Sequence, residues 1–179
     1  MSATGQVPDT ERLADHLAIQ DVIFKHCRGL DRADAVLLKT CYWEDAQVDY
    51  GFFQGEGHEF CDLIARSIVG NRATHHQVSN IIPEFSKDEA VVESYVTAYH
   101  HQPGGQLTEM TYMGRYIDHM EKRDNIWKLL MRHVVADWNQ NLDSSDNLDS
   151  GPLSNLAKSA RIPDDPLYEQ QEKILGVSE

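Results

Sequence analysis

At residue 73 the hydrophobic period of the chain changes, and this switch limits the fold more than any other feature of its 179 residues. Beyond it, residues 74–85, 89–101, 107–121 and 126–138 are rich in Val, Ile, Thr, Tyr and Trp. Their separators, Ser86-Lys87-Asp88, Gln102-Pro103-Gly104-Gly105 and Lys122-Arg123-Asp124-Asn125, are short and turn-like. Four long strands with short connections make an antiparallel meander. Strands of this length twist and curve, and a sheet that curls around helices can enclose a pocket. Pro83, near the end of the first long strand, fits an edge or a bulge.

Before the switch the pattern is helical. Asp9 or Thr10 can cap a first helix, with Glu11 and Asp15 near its positive end. Leu13, Leu17, Ile23, Phe24 and Cys27 form its apolar face, and Gly29 suits the position just past its end. A second helix starts after Asp31 or Asp34 and carries Val36, Leu37, Leu38 and Cys41. Residues 46–50 read as a short strand. Gly55 and Gly57 mark a turn, and residues 59–69 read as a third helix with Phe60, Leu63, Ile64 and Ile68 inward. The reading is α+β: three N-terminal helices packed in a strongly curved, mostly antiparallel sheet. Residues 1–8 are expected to be disordered, and 9–140 to form the domain. Residues 141–179 form a polar, then partly apolar extension that packs on the domain or on a neighbouring subunit.

Charge and cysteines narrow the function. With 29 acidic residues against 16 basic, the formal net charge is −13. That argues against a nucleic-acid binder, which needs a basic face, and against a polybasic membrane surface. No stretch approaches the ~18 apolar residues of a membrane span. The N-terminus has no signal-peptide pattern, and Cys27, Cys41 and Cys61 are an odd count without CxxC spacing, so a cytoplasmic protein with reduced thiols is expected.

No phosphate-cradling loop, dinucleotide fingerprint, HExxH or nucleophile elbow occurs, and Gly104-Gly105 reads as a hairpin tip. Asp31, in Gly29-Leu30-Asp31-Arg32, is either a helix cap or a carboxylate that orients a histidine at a pocket rim. His75-His76 and His100-His101 each place one imidazole on either face of a strand. His76, Val78, Asn80 and Ile82 would share one face, and periodicity does not say whether that face is inside. A hairpin centred on Lys87 gives paired numbers summing to about 174, which sets His76 opposite Ala98 and makes His100 its diagonal neighbour, ~7–8 Å away. Ala90, Ser94 and Ala98 on that face are small and leave room for a substrate. Tyr42, Trp43, Tyr50, Arg115 and Tyr116 are further candidates. Trp127 and Trp138 read as core anchors, and His16, His26, His58, His119 and His133 as solvent-facing or structural.

In order and spacing, Ala18-Ile19-Gln20-Asp21, Gly29-Leu30-Asp31, Val48-Asp49-Tyr50, His75-His76-Gln77-Val78-Ser79-Asn80, Ala90-Val91-Val92-Glu93, Gly114-Arg115-Tyr116, and Trp127 through Asp137-Trp138-Asn139 resemble the SnoaL-like branch of the nuclear transport factor two-like superfamily. The resemblance spans about residues 10–140. It implies a cone-shaped α+β barrel with a deep apolar pocket, and proton-transfer chemistry without metal or organic cofactor. Scytalone dehydratase, hexachlorocyclohexane dehydrochlorinase, ketosteroid isomerases and polyketide cyclases belong to this group. By that resemblance His76 is a base and Asp31 its orienter, Tyr50 polarises a substrate carbonyl through water, and His100 is the second histidine. Leu30 departs from a family tyrosine that shares that water. Trp43, Asn80, Arg115 and Tyr116 complete the expected substrate-binding set, and a homotrimer is expected.

The expected activity is therefore a cofactor-independent lyase that abstracts a proton from a hydrophobic, aromatic or polycyclic substrate and expels a leaving group. Isomerisation begins with the same proton transfer. Two alternatives use the same residues or fold: a metal enzyme with Asp31, His76 and His100 as two-histidine, one-carboxylate ligands, and a non-catalytic binding or structural subunit such as a ring-hydroxylating dioxygenase β subunit.

Overall fold

The computed structural model describes residues 5–102 and 108–176; the expected Gly104-Gly105 hairpin tip and residues 1–4 of the N-terminal stretch lie outside them. In chain order the elements are α1 (Thr10–Arg32), α2 (Ala35–Thr40), β1 (Tyr42–Asp49), β2 (Gln54–Glu56), α3 (Gly57–Ile68), β3 (Ala73–Ser86), β4 (Glu89–Gln102), β5 (Thr108–Arg123), β6 (Ile126–Asp143), a 3₁₀ turn (Gly151–Asn155) and α4 (Pro166–Leu175). The fold is α+β, as the change of period predicts. Strands β3 to β6 are the expected antiparallel meander, extended by β1 and β2 into one six-stranded sheet of order β2-β1-β6-β5-β4-β3. β1 runs parallel to β6, the one parallel pair in this order, because α1 and α2 precede it and deliver the chain to the open side of the meander. The sheet curls but does not close, so β3 is an edge strand that pairs, among the described residues, only with β4.

Local chemistry sets the helix ends. Asp9 caps α1 by accepting from the Arg12 N–H at 2.7 Å, and Asp34 caps α2 by accepting from the Leu37 N–H at 2.8 Å. α1 runs past Gly29 to Arg32 and ends on Ala33, whose φ is 54° and whose N–H reaches the carbonyls of Gly29 and Leu30. Gly29 is thus interior to the helix rather than beyond it. Its role is close approach: a Cβ there would lie 2.7 Å from Leu38 Cγ of α2. The buried stripe of α1 also differs from the simple apolar face. Ile19, Ile23, Cys27 and Leu30 are buried with Asp15 and His26, whereas Leu13, Leu17 and Phe24 are exposed on a second stripe. Polar Asp15 is accepted inside because it receives the Trp127 indole N–H at 2.7 Å and pairs with Lys122 at 3.2 Å.

The core joins the buried stripe of α1 to Leu38, Phe60, Ile68, Val92, Met120, Trp127 and Leu129. Trp138 is not a core anchor. It stands on the outer face of the sheet, 49% exposed, with Ile82, Val91 and Tyr95 also exposed. A bulge in β3 decides which side chains face inward. Up to Ser79 the paired numbers sum to 174, with His76 opposite Ala98, and from Ile82 onward they sum to 175. Asn80 lies in that bulge with φ 49°. The inward set is therefore His76 and Val78 on one side of the bulge and Ile81, Pro83 and Phe85 on the other, while Asn80 and Ile82 are exposed.

Candidate functional site

Asp31 lies in the last turn of α1, where the helix end meets the start of β3. One carboxylate oxygen is 2.7 Å from His76 Nδ1 and the other accepts the His76 main-chain N–H at 2.9 Å. This two-point grip fixes the ring, and a carboxylate partner assigns the proton to Nδ1 and the lone pair to Nε2. The two side chains are only 6% and 11% exposed. Asp31 is not a helix cap; Asp34 and Ala33 perform the capping at this corner.

His100 meets His76 edge-on, ring centroids 5.3 Å apart, on the face that the register places next to Ala98. Burial, then the charge of His76, pushes its imidazole down to about 4, so it is neutral near neutral pH. His75 is exposed on the opposite face. His101 is buried at 3% on the same opposite side, 3.8 Å from Asp146.

A second group of polar side chains lies deeper in the curl. Arg132 of β6 is fully buried and holds Asp118 of β5 through two 2.7 Å bonds. Burial opposes the Arg132 charge, but Asp118 overrides it and the guanidinium is held well above its usual range. The same guanidinium lies 3.0 Å from His26 Nδ1 and 4.0 Å from the Tyr116 ring centre. His26 Nε2 is 2.9 Å from the Tyr42 hydroxyl and 3.4 Å from that of Tyr50. Burial first, then the charges of Arg132 and His76, drives the His26 imidazole well down, so it stays neutral. Tyr50 stacks on Phe60 at 4.0 Å. Burial raises the hydroxyls of Tyr42, Tyr50 and Tyr116, so all three remain protonated donors. Ser94, opposite Tyr116, has a buried Oγ with no partner among the described residues.

The expected residues divide accordingly. Asp31 and His76 meet, His100 adjoins them, and Tyr50 and Tyr116 lie in the buried network beside His26 and Arg132. Three others do not join them. Arg115 faces outward, bonded to Glu93 at 2.8 Å and near Asp137, because it alternates with inward Tyr116. Asn80 is turned out by the β3 bulge. Trp43 donates its indole N–H to the Glu121 carbonyl at 3.0 Å and lies between Arg123 and Lys128, at the β5–β6 hairpin. His26, expected in solvent or in a structural role, and Arg132, which lies in the stretch from Trp127 to Asn139 but is not among the candidates, are the additions. Their signal is an acid and a base, Asp118 and Arg132, on neighbouring strands of the meander.

Among the described residues no group of three His, Cys, Asp or Glu side chains is arranged to hold a metal ion, so Asp31, His76 and His100 do not form the expected ligand set; Asp31 is engaged by His76 itself. Burial pushes the thiols of Cys27 and Cys61 up to about 12 and that of Cys41 to about 11, far from a reactive thiolate. Among the described residues no helix is long and apolar enough to cross a membrane.

The profile of the SnoaL-like domain matches residues 11–133. The chain belongs to the SnoaL-like domain family. This SnoaL-like domain matches no curated protein. Among solved structures it is similar to a type 2 hexachlorocyclohexane dehydrochlorinase (LinA), at 23% identity and TM-score 0.71 over 81% of this chain and 99% of that one. It is also similar to a protein of Novosphingobium aromaticivorans provisionally named scytalone dehydratase, at 25% identity and TM-score 0.66 over 85% and 95% of the two chains. A type 3 LinA dehydrochlorinase of Novosphingobium barchaimii shares 24% identity and TM-score 0.68 over 75% and 94%. These neighbours are lyase-type enzymes by name, and their likeness to this SnoaL-like domain is one of fold.

Proposed function

We propose that this SnoaL-like domain is a cofactor-independent lyase in which His76 is the general base and Asp31 its orienter. One observation carries the reading: the Asp31 carboxylate grips both Nδ1 and the main-chain N–H of a nearly buried His76. Such a carboxylate fixes the tautomer that leaves Nε2 free to take a proton, and stabilises the imidazolium that results. The charge developing on the substrate, or on the departing group, then needs donors. Tyr50 with Arg132 behind it supplies them in a setting shielded from water. The apolar surroundings of the pair, Val78, Val96 and Ala98 with the rings of Tyr50 and Phe60 in the same interior, match the hydrophobic, aromatic or polycyclic substrate of this reading, and the Ser94 hydroxyl, without a partner among the described residues, is its candidate polar contact. The named neighbours support elimination over other uses of the fold.

The test is a panel of hydrophobic compounds with an acidified C–H next to a halide or hydroxyl leaving group, assayed in deuterated water. Elimination is read as halide or alkene formation, and isomerisation as deuterium uptake without loss of a group. His76→Ala and Asp31→Ala are each expected to lower turnover by about 10²–10⁴-fold while circular dichroism stays native. Near-native turnover in either variant overturns the reading.

A further inference from the structure

The Asp31–His76 pair is held from behind by a segment outside the family profile, which ends at residue 133. Asp31 belongs to the last turn of α1, where carbonyl groups have no partner within the helix. The chain returns there from the far end of β6, and Arg161 delivers one guanidinium to four oxygens. Its Nη1 donates to the main-chain carbonyl of Asp31 and, at 3.0 Å, to Thr74 Oγ1, two residues before His76 on β3. Its Nη2 donates to the carbonyls of Asn71 at 3.0 Å and Ile68 at 3.3 Å, which end α3 and lead into β3. The planar fork thus joins the element that carries the acid to the strand that carries the imidazole. β3 needs such a joint because it is an edge strand with a ladder on one side only.

The rest of the extension keeps the guanidinium in place. The Ile162 N–H donates to the Arg32 carbonyl at 2.8 Å, Asp165 is 3.1 Å from Arg32 Nε, and the Tyr168 hydroxyl reaches Asp34 Oδ2 at 3.0 Å. All three anchors lie on residues 32–34, the corner that follows Asp31. Among the described residues the hydrogen bonds of Arg161 go to main-chain carbonyls and Thr74, none of them in the buried Tyr50–His26–Arg132 group, and its charge bears on Asp31 and His100, so it acts at the pair and its neighbour. We propose that Arg161 is a positioning residue that sets the Asp31–His76 geometry by clamping the Asp31 peptide to the start of β3. The inference rests on the reading of that pair as the catalytic dyad. A lysine cannot replace it, since one ammonium group does not span four separated oxygens in a fixed plane.

The experiment follows the His76 ring by nitrogen-15 NMR in the full chain labelled at histidine, with His76→Gln to assign the signals. The native chain is expected to show His76 as the Nδ1–H tautomer with slow exchange of that proton. Arg161→Met removes all four contacts and is expected to speed the exchange at least about tenfold, the factor that a single charge-assisted bond is worth. Arg161→Lys should recover only part of it. Lys158→Met, which removes three bonds confined to carbonyls of residues 153–156 in the extension, should leave the exchange unchanged although it loosens the same segment. Unchanged exchange in a folded Arg161→Met overturns the inference and leaves the dyad intact. Should Arg161→Met not fold, native exchange in Arg161→Lys overturns it by the same criterion. A native chain whose His76 carries no bonded Nδ1–H overturns the dyad itself, and this inference with it.

Discussion

An imidazole kept neutral by burial has a cost that appears as pH falls. In the folded protein burial, then His76, holds His100 down to about 4, against 6.5 for the free side chain, and His26 is shifted in the same direction. Between those values the unfolded chain binds a proton that the native His100 refuses. Stability therefore rises with pH and is lost as pH falls from about 6.5 towards 4. The expected outcome is a thermal midpoint that drops across this window, with a shallower drop in His100→Gln; equal slopes in the two proteins would contradict it. At this scale the sequence shows the acid and the base but not their setting. Asp31 and His76 are legible as a pair through the order of motifs that carries the family resemblance, while the hairpin sum brings only His76 and His100 together. His26 and Arg132 are not, since a buried charge is recognisable only with its partner. Asp118 opposes Arg132 only after a register shift between His119 and Met120, whereas the undisturbed hairpin would set it against Met131. Arg115 misleads for the opposite reason. Its neighbours make it look part of a site motif, but alternation turns it outward, and the residue in that triplet that the fold requires is Gly114, where a Cβ would meet the Tyr112 hydroxyl and the Val135 carbonyl.

Elements were more legible than their ends. The change of period gives four long strands, and the capping rule narrows two helix starts to Asp9 or Thr10 and to Asp31 or Asp34, of which Asp9 and Asp34 are the caps, because each rests on a local rule. The end of α1 breaks the rule that glycine follows a helix. Gly29 is retained for the approach of α2, and the left-handed position falls to Ala33, where a Cβ is disfavoured. Ala33→Gly should relieve that strain and raise unfolding stability by about 0.5–1 kcal/mol in urea; a loss would show that the 9% exposed Ala33 methyl contributes more by packing. The β3 hairpin shows how a correct pairing can arise by compensation. The two-residue turn sets a sum of 175, and the bulge at Asn80 restores 174 before His76 is reached. Without the bulge, His76 would face outward and Asp31 would have no partner.

At the scale of the molecule, an acidic chain presents large apolar side chains among the ion pairs of its outer sheet. Ile82, Val91, Tyr95 and Trp138 are between 42% and 54% exposed on that face, more than a soluble surface needs. We propose that this face is covered in a homotrimer, for which light scattering at micromolar concentration should give three times the chain mass; a monomer mass overturns the proposal. Six strands that curl without joining leave a seam, and His76 hangs on one side of it while Asp31 belongs to the helix inside. The two halves of the pair therefore have unequal fates on warming. On the proposed function, fraying of the seam is expected to part them while the interior around Trp127 and Leu129 is still intact, so that inactivation would precede melting and the temperature limit for chemistry would lie below that for shape.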